Sequence, residues 1–295
     1  MWNLRIDRAL SVHLCHPLAR GRGGGRRLRI PILMYHSIRE GNEGRNPYYE
    51  TNTSPQVFAQ QMQFLHENGY RVLSLVETVE ILAGNGNCEK SVAITFDDGY
   101  ADFYSHAYPL LREHGFTATV FVVTGLLKTQ RTQFNGKDCL TLSEVRKLHS
   151  QGVNIGSHTV SHPELKQMGR EEVESELSVS KQTLEDALGA PVKSFSYPFA
   201  FPEADHRFVD TLTNLLEKCG YENGVSTILG TAQPRHNPRF LPRLPINSWD
   251  DQRFFRAKLE GAYDWLHFPQ WLYKQCKSLA GATNSAEDSE QGLKG

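Results

Sequence analysis

Short apolar runs alternate with amphipathic stretches along most of the chain. Residues 28–36 form an apolar run that ends in polar residues, which predicts a buried strand leading into a functional loop. Ser54 and Pro55 are typical N-cap and N1 residues of a helix, and Gly69 is a typical residue for its end. The same pattern predicts further strands at residues 70–75, 92–96, 117–123, 153–157, 194–197, 224–228 and 241–246.

This alternation of strands and helices predicts an α/β fold with a parallel sheet, and about seven β/α units favour a barrel. In such barrels, the side chains at the carboxyl ends of the strands carry function. We predict that residues 29–275 of the 295-residue chain form this domain. The polar, low-complexity residues 276–295 are predicted to be a disordered tail.

Residues 1–28 are basic and rich in arginine and glycine. Between Arg5 and Arg29 the only acid is Asp7, against seven arginines, and residues 21–25 are mostly glycine. Because glycine runs do not hold a helix, this composition favours a loose basic tail over an organelle transit peptide. Charged residues interrupt the apolar residues here, so no secretory signal peptide is recognised and the default expectation is a cytoplasmic protein.

The overall composition excludes several classes of function. The formal net charge of −1 provides no field that would attract nucleic acid. No apolar run approaches the ~18 residues of a membrane-spanning helix. The five cysteines are scattered and odd in number, so they predict neither a thiolate zinc site nor a disulfide framework.

Two adjacent aspartates, Asp97 and Asp98, follow the predicted strand at residues 92–96 and precede Gly99. Adjacent carboxylates that leave a strand into a glycine turn point in different directions. One can therefore bind a metal ion while the other, held ionised by the nearby cation, takes a proton. Taken alone, the Asp-Asp-Gly pattern is equally typical of a solvated turn or a helix cap.

Two histidines later in the chain favour the metal-binding interpretation. His158 and His162 are four residues apart and follow the predicted strand at residues 153–157. Two imidazoles at this spacing can converge on one ion together with one of the two carboxylates, and such a set leaves coordination positions open for water and substrate. We expect one divalent ion, zinc, while cobalt, nickel or iron are also compatible with these ligands. The alternative interpretation is a pair of unrelated surface histidines.

The sequence around these side chains resembles a known family. TFDDGY at 95–100 and HTVSHPEL at 158–165 are similar to the first two signature motifs of the polysaccharide deacetylase family, also called the NodB-homology domain or carbohydrate esterase family 4. The resemblance extends over roughly residues 30–265 and includes ILMYHSI at 32–38 and LPRLPIN at 241–247. It implies a deformed (β/α) barrel of about seven parallel strands.

The resemblance also implies an activity and a role for each motif residue. The enzyme would be a metal-dependent hydrolase that acts on a carbon–nitrogen bond other than a peptide bond, with an N-acetylated saccharide as its substrate. Asp97 would be the general base that takes a proton from the attacking water. Asp98, His158 and His162 would be the metal ligands.

The third family motif departs from its usual form. It usually reads Arg-x-Pro-Tyr-Gly, whereas residues 196–200 read Ser-Tyr-Pro-Phe-Ala. Ser196 therefore stands where the family has the arginine that braces the catalytic aspartate, and Arg243 is the candidate for the replacement brace. A structural ion pair is the alternative role for Arg243. Tyr197 and Phe199 are candidates for contacts with the substrate or the oxyanion, since a backbone N–H near this motif is expected to help hold the oxyanion.

The late Leu-x-His strand that usually supplies the family's general acid is missing. His36, at the end of the first predicted strand, is the candidate for this acid, and the alternative is a loop histidine with no part in the chemistry. Two other interpretations of the whole chain stay open. In one, the enzyme is a deacetylase or amidase of a small molecule or a lipid-linked sugar intermediate; in the other, the barrel binds glycan with little catalysis.

Overall fold

The computed structural model describes residues 5–21, 28–41, 50–84 and 86–272. Its strands are β1 (Ile32–Tyr35), β2 (Ser37–Ile38), β3 (Asn52–Thr53), β4 (Arg71–Leu73), β5 (Ser91–Phe96), β6 (Thr119–Val122), β7 (Gln133–Phe134), β8 (Lys137–Asp138), β9 (Asn154–Ser157), β10 (Ser194–Ser196), β11 (Asn223–Leu229) and β12 (Leu241–Pro245). Its α-helices are α1 (Ile6–Leu10), α2 (His16–Gly21), α3 (Pro55–Glu67), α4 (Leu75–Leu82), α5 (Tyr108–Glu113), α6 (Leu142–Ser150), α7 (Arg170–Leu188), α8 (His206–Lys218) and α9 (Gln252–Leu259).

Seven parallel strands close into a barrel. Their order around it is β1, β12, β11, β10, β9, β6 and β5, and β5 pairs with β1 to complete the circle. Strand β4 lies outside this circle and pairs with the first half of β5. The predicted deformed (β/α) barrel is therefore confirmed.

The parallel register brings the carboxyl ends of the strands to one edge of the barrel. β1 ends at Tyr35, β5 at Phe96, β9 at Ser157 and β10 at Ser196. The ladder continues one residue beyond β5, because the N–H of Asp97 donates to the carbonyl oxygen of Tyr35 at 3.0 Å. The residues that follow these four ends are His36, Asp97, His158 and Tyr197.

The end of β5 is held in place by close packing in the core. This strand is buried along its whole length, as expected for a parallel strand covered on both faces. Its last residue, Phe96, packs against the rings of Tyr35, Phe58 and Phe103 at centroid distances of 5.2, 5.8 and 4.7 Å. Because such close-packed rings have little freedom to move, the aspartates that follow Phe96 start from a rigid support.

Helix ends follow local signals in the sequence. The hydroxyl of Ser54 accepts a backbone N–H of the first turn of α3 at 3.2 Å, as predicted for an N-cap. Thr141 and Glu144 form a capping box at the start of α6. Helix α7 is followed by Gly189, whose left-handed φ of 66° suits glycine.

The segment at residues 125–139, which lies between two of the predicted strands, contains a short antiparallel hairpin. Its strands β7 and β8 pair Gln133 with Asp138 and Phe134 with Lys137. Strands of two residues leave no hydrophobic period in a sequence, so the pattern of apolar positions could not predict them.

The basic N-terminal segment is helical over residues 6–21, where the sequence predicted a loose tail. It forms α1, a π-helical turn at Ser11–Cys15, and α2. Asp7 is only 2% exposed, and its carboxylate accepts a hydrogen bond from the Tyr263 hydroxyl at 3.2 Å. The charged residues that interrupt the apolar pattern thus make contacts with the domain. Residues 22–27 and the predicted tail at 276–295 lie outside the described residues.

Candidate metal and catalytic site

A cavity of about 660 Å³ lies at the carboxyl edge of the barrel. It brings together almost all of the side chains for which the sequence predicted a role. Those that line it are His36, Asp97, Asp98, His158, His162, Tyr197 and Phe199. Arg243 is fully buried and reaches the site through its contact with Asp97.

Asp98, His158 and His162 form one group of potential metal ligands. One ligand atom from each lies within 4.8 Å of the others, and Nε2 of each histidine is 3.5 Å from Oδ1 of Asp98. Two ligands that lie about 2.1 Å from one tetrahedral ion are about 3.4 Å apart. The two distances from Asp98 to the histidines therefore fit ligands that share a single ion.

The backbone of this group is left-handed at residues other than glycine. The φ angles are 69° at Asp98, 66° at Thr159 and 56° at His162. Each such residue costs about 1–3 kcal/mol, and proteins retain this strain chiefly at functional sites. The left-handed turn at Asp98 and Gly99 separates the Asp98 side chain from that of Asp97, so the adjacent carboxylates meet different partners.

The loop between the two histidines is fastened by Glu176 of α7. Its carboxylate accepts hydrogen bonds from the N–H groups of Val160 and Ser161 at 2.7 and 3.0 Å, and from the Ser161 hydroxyl at 2.7 Å. The N–H of His162 donates to the Thr159 hydroxyl at 3.0 Å. These bonds fix the backbone that carries His162, although none of them involves its imidazole.

His158 is oriented by the backbone of the third motif. Its Nδ1 lies 2.8 Å from the carbonyl oxygen of Ser196, so Nδ1 carries the hydrogen and Nε2 presents its lone pair. Burial lowers the pKa of His158, but the carboxylates of Asp98 and Asp97 outweigh burial and raise this pKa on balance. Their negative field favours a positive charge at Nε2, which a proton or a metal ion can supply.

Asp97 is braced by Arg243. Nη1 of the guanidinium donates to Oδ1 at 2.8 Å and Nη2 donates to Oδ2 at 2.7 Å, a bidentate pair. The Ser196 hydroxyl donates to the same Oδ1 at 3.2 Å. Burial alone would raise the pKa of Asp97, but the charge of Arg243 outweighs burial and holds this pKa well below its usual range. Asp97 is therefore ionised at neutral pH, and Arg243 occupies the position expected of the replacement brace.

Comparison with known proteins identifies the family. The family model described as Polysaccharide deacetylase matches residues 84–224. The Bacillus subtilis (strain 168) protein YxkH, named as a candidate polysaccharide deacetylase, is 33% identical over 233 residues, which cover 79% of this chain and 76% of YxkH. This chain belongs to the polysaccharide deacetylase family.

Further matches include a curated relative and two solved structures. The poly-β-1,6-N-acetyl-D-glucosamine N-deacetylase of Staphylococcus aureus (strain MRSA252) is 23% identical over 233 residues, covering 73% of this chain and 78% of the relative. The solved structure of Streptococcus pyogenes deacetylase PplD in complex with acetate matches with a TM-score of 0.69 at 29% identity, covering 79% of this chain and 99% of PplD. IcaB from Ammonifex degensii, at 20% identity and a TM-score of 0.64, shares the fold over 79% of this chain and 97% of IcaB.

Two residues of the altered third motif take different positions in this deacetylase. The N–H of Tyr197 donates to the carbonyl oxygen of Val225 at 3.0 Å, and its ring packs against Phe201. This N–H is therefore engaged in the sheet and is not available to an oxyanion. Phe199 has a left-handed φ of 58°, and its N–H has no hydrogen-bond partner within the part of the chain that the structure describes. Of the two candidates, Phe199 retains a free backbone donor at the cavity.

His36 lines the cavity, as expected for a candidate acid. Burial lowers its pKa, and the charges of Asp98 and Asp97 oppose that shift only in part. The imidazole is therefore neutral at pH 7. A buried imidazole of this kind readily gives up a proton that it has gained during a reaction.

The sequence pattern missed two cavity residues, Tyr100 and Lys137. Burial, together with the charge of Asp98, raises the pKa of Tyr100, so its phenol stays protonated. Nζ of Lys137, from β8, lies 2.8 Å from Oδ1 of Asn52 and 4.9 Å from the centroid of the Tyr100 ring. Tyr100 belongs to the TFDDGY motif and can be found from it, whereas no local signal in the sequence marks Lys137.

Proposed function

We propose that this deacetylase is a metal-dependent hydrolase that removes N-acetyl groups from a saccharide. The observation that carries the proposal is the bidentate contact of Arg243 with Asp97, which keeps a base ionised beside the ligand group of Asp98, His158 and His162. An ionised carboxylate beside the ligands of one metal ion suits the hydrolysis of an amide at neutral pH. The bond broken is a carbon–nitrogen bond other than a peptide bond.

Asp98, His158 and His162 would hold one divalent ion, for which we propose zinc. Two imidazoles and one carboxylate suit zinc and are compatible with cobalt, nickel and iron. When bound, such an ion polarises a carbonyl group and lowers the pKa of a bound water toward about 7. The hydrogen bond from His158 to the Ser196 carbonyl and the clamp of Glu176 on the loop would keep the ligands oriented.

The residues around the ligands would move the protons. Asp97 would accept a proton from the attacking water, and Arg243 holds its carboxylate in place before the substrate binds. The backbone N–H of Phe199 would donate to the oxyanion. The proton taken up by Asp97 would then pass through the neutral imidazole of His36 to the departing amine, which leaves Asp97 ionised again. We assign this role to His36 because it is the cavity histidine that is not one of the proposed ligands.

The cavity wall combines aromatic and polar groups that suit a sugar. The ring of Phe199 lies beside His162 at a centroid distance of 4.6 Å, and aromatic faces are platforms on which sugar rings stack. Asn52 and Lys137 add hydrogen-bonding groups to the wall. The name of the Staphylococcus aureus relative supports N-acetylglucosamine as the repeating unit of the substrate.

Metal analysis and acetate release from the purified protein test the proposal. We expect about one divalent ion per chain and acetate release from β-1,6-linked N-acetylglucosamine oligomers. Asp97→Asn should keep the ion and lose most of the activity. Asp186→Asn, an exposed change on α7, should keep both. Undiminished acetate release by Asp97→Asn would show that another group is the base.

Two further results would redirect the proposal. Acetate release from small amides or lipid-linked sugars, without release from the oligomers, would assign the enzyme to small or lipid-linked substrates. A bound ion without acetate release from any of these compounds would favour a barrel that binds glycan with little catalysis.

A further inference from the structure

The helical segment at residues 6–21, called here the N-terminal helix, turns its polar side toward the domain. Arg5 donates to the buried carboxylate of Asp7 through two nitrogens, at 2.9 and 2.6 Å, and Tyr263 donates to the same carboxylate. Ser11 accepts a hydrogen bond from the indole N–H of Trp265 at 3.0 Å. The inner face of this helix therefore combines these polar contacts with Val12, which packs against the core.

Two more polar contacts fix the rotation of the N-terminal helix about its axis. Nε of Arg8 donates to Asp251 at 2.8 Å, near the start of α9. His16 lies 2.7 Å from the Glu260 carboxylate, at the other end of α9. Because these contacts are spread along the helix, it cannot turn its opposite face inward without breaking all of them.

The outward face of the N-terminal helix is apolar. Ile6, Leu10, Leu14 and Leu18 recur every four residues and are exposed by 58, 36, 53 and 54%. Among the described residues, nine large apolar side chains are exposed by 36% or more, and four of the nine are in this stripe. A helix that faces water shows the opposite arrangement, with its apolar side packed on the protein. This orientation needs an apolar neighbour outside the domain.

The remaining segments of the chain are poor candidates for that neighbour. Residues 273–295 contain only Tyr273, Leu279 and Leu293 as large apolar residues, residues 42–49 contain Tyr48 and Tyr49, and residues 22–27 contain none. Within the described residues the stripe stays exposed, which fits a neighbour that is another molecule.

The charge around the stripe indicates what that molecule is. Five arginines follow Leu18 within eleven residues, at positions 20, 22, 26, 27 and 29, with no acid among them. A second copy of the chain would bring five more positive charges to the same place, whereas an anionic lipid surface complements them. Phe268 and Leu272, also exposed, follow Trp265, which contacts this helix.

We propose that the N-terminal helix lies in the surface of an anionic membrane, with its leucine face toward the acyl chains. Helices with one apolar and one charged face bind membranes in this way without crossing them. Within the described residues, no helix has the length and hydrophobicity to cross a bilayer. This inference is independent of the deacetylase chemistry.

Vesicle flotation of the full-length protein tests the inference. We expect binding to vesicles of phosphatidylcholine and phosphatidylglycerol, and weaker binding to phosphatidylcholine alone or in high salt. The double variant Leu10→Gln/Leu14→Gln should bind at least about tenfold more weakly. Val179→Gln, which changes an exposed apolar residue of α7, is the matched control and should bind like the wild type.

The double variant should fold normally, since glutamine and leucine have similar helix propensities and the side chains at positions 10 and 14 point outward. Circular dichroism and the thermal midpoint check this. Equal vesicle binding by the wild type and the double variant would overturn the inference, as would the absence of binding to the anionic vesicles. A dimer in solution that the double variant dissociates would assign the stripe to a second copy and also overturn it.

Discussion

Arg243, on the last barrel strand, donates to both carboxylate oxygens of Asp97, at the end of β5, at 2.8 and 2.7 Å. In the usual form of the third family motif, the arginine that braces this aspartate stands where this chain has Ser196. The Ser196 hydroxyl still contacts Asp97 and accepts a hydrogen bond from Arg243, which lies 47 residues later in the chain. The positive charge is thus kept at the same aspartate while its source moves to a different strand.

Arg243→Met should reduce both activity and stability. It leaves the buried Asp97 carboxylate without its counter-ion, which costs about 3–5 kcal/mol of the free energy of unfolding. Because Arg243 lowers the pKa of Asp97, its loss raises that pKa, and the base becomes protonated at a higher pH. The acid limb of the pH profile of acetate release should therefore move to higher pH.

Arg243→Lys keeps a charge without the bidentate fork and should show a smaller shift of the acid limb, with better folding. Ser196→Ala removes only the weaker contacts and is the mild control. The contrary outcome is that both variants fold and neither shifts the acid limb of the pH profile. Arg243 would then form a structural ion pair and would not brace the base.

Glu176→Gln should weaken metal binding although Glu176 is not a proposed ligand. The carboxylate accepts three hydrogen bonds from the loop that carries His162, and the amide of glutamine cannot accept all of them. Loss of an outer partner of this kind lowers metal affinity by about tenfold or more. Competition with a chromophoric chelator measures the affinity, and activity at saturating metal should be close to that of the wild type.

Glu174→Gln is the matched control for this experiment. Glu174 lies on the same helix and pairs with the exposed Lys218, away from the loop. It should leave metal affinity unchanged. Equal affinities of the two variants would show that Glu176 does not hold the ligand loop.

The positions of the candidate ligands and the candidate base can be predicted from the sequence because they follow strands that are themselves recognisable. Asp97 and Asp98 come after the wholly buried β5, and His158 comes after β9, so the parallel barrel must bring them to one edge. Arg243 can be predicted for a different reason. A buried carboxylate needs a counter-ion, and the loss of the usual arginine directs attention to another one.

Glu176 and Lys137 could not be predicted in this way. Glu176 lies on a helix with many acids, and only the three-dimensional path of α7 selects it from its neighbours. Lys137 lies on a strand of two residues, too short for any period. In the N-terminal helix, the charged residues led to the prediction of a loose, solvent-exposed tail, yet several of them face the domain. Hydropathy alone does not say which side of a helix packs inward, so the sequence could not predict this orientation.

Removal of the metal should lower thermal stability as well as activity. A ligand present at 100 times its dissociation constant raises the free energy of unfolding by about 2.7 kcal/mol, if it binds only the folded state. Chelation should therefore abolish acetate release and lower the melting temperature, and added zinc should restore both. His158→Gln should show no zinc-dependent shift, whereas His206→Gln, at the exposed start of α8, should shift like the wild type. A full zinc-dependent shift in His158→Gln would place the ion elsewhere.

Lys137→Met should raise KM for the saccharide and change kcat little. The ammonium group lines the cavity, is held by Asn52 at 2.8 Å and Thr51 at 3.4 Å, and lies over the ring of Tyr100. An ammonium is a donor that suits sugar hydroxyls, and a position fixed before binding reduces the entropy lost when they are bound. Methionine fills similar space without a donor, so we expect a rise in KM of about tenfold.

Steady-state kinetics on β-1,6-linked N-acetylglucosamine oligomers separate KM from kcat for Lys137→Met. Lys128→Met, an exposed change outside the cavity, should leave both constants unaltered. A fall in kcat at constant KM would mean that Lys137 acts in the transition state and not in binding, since an interaction made only there lowers kcat and kcat/KM together. Because the side chain is fixed by Asn52 in the absence of substrate, the binding role is the one that its geometry favours.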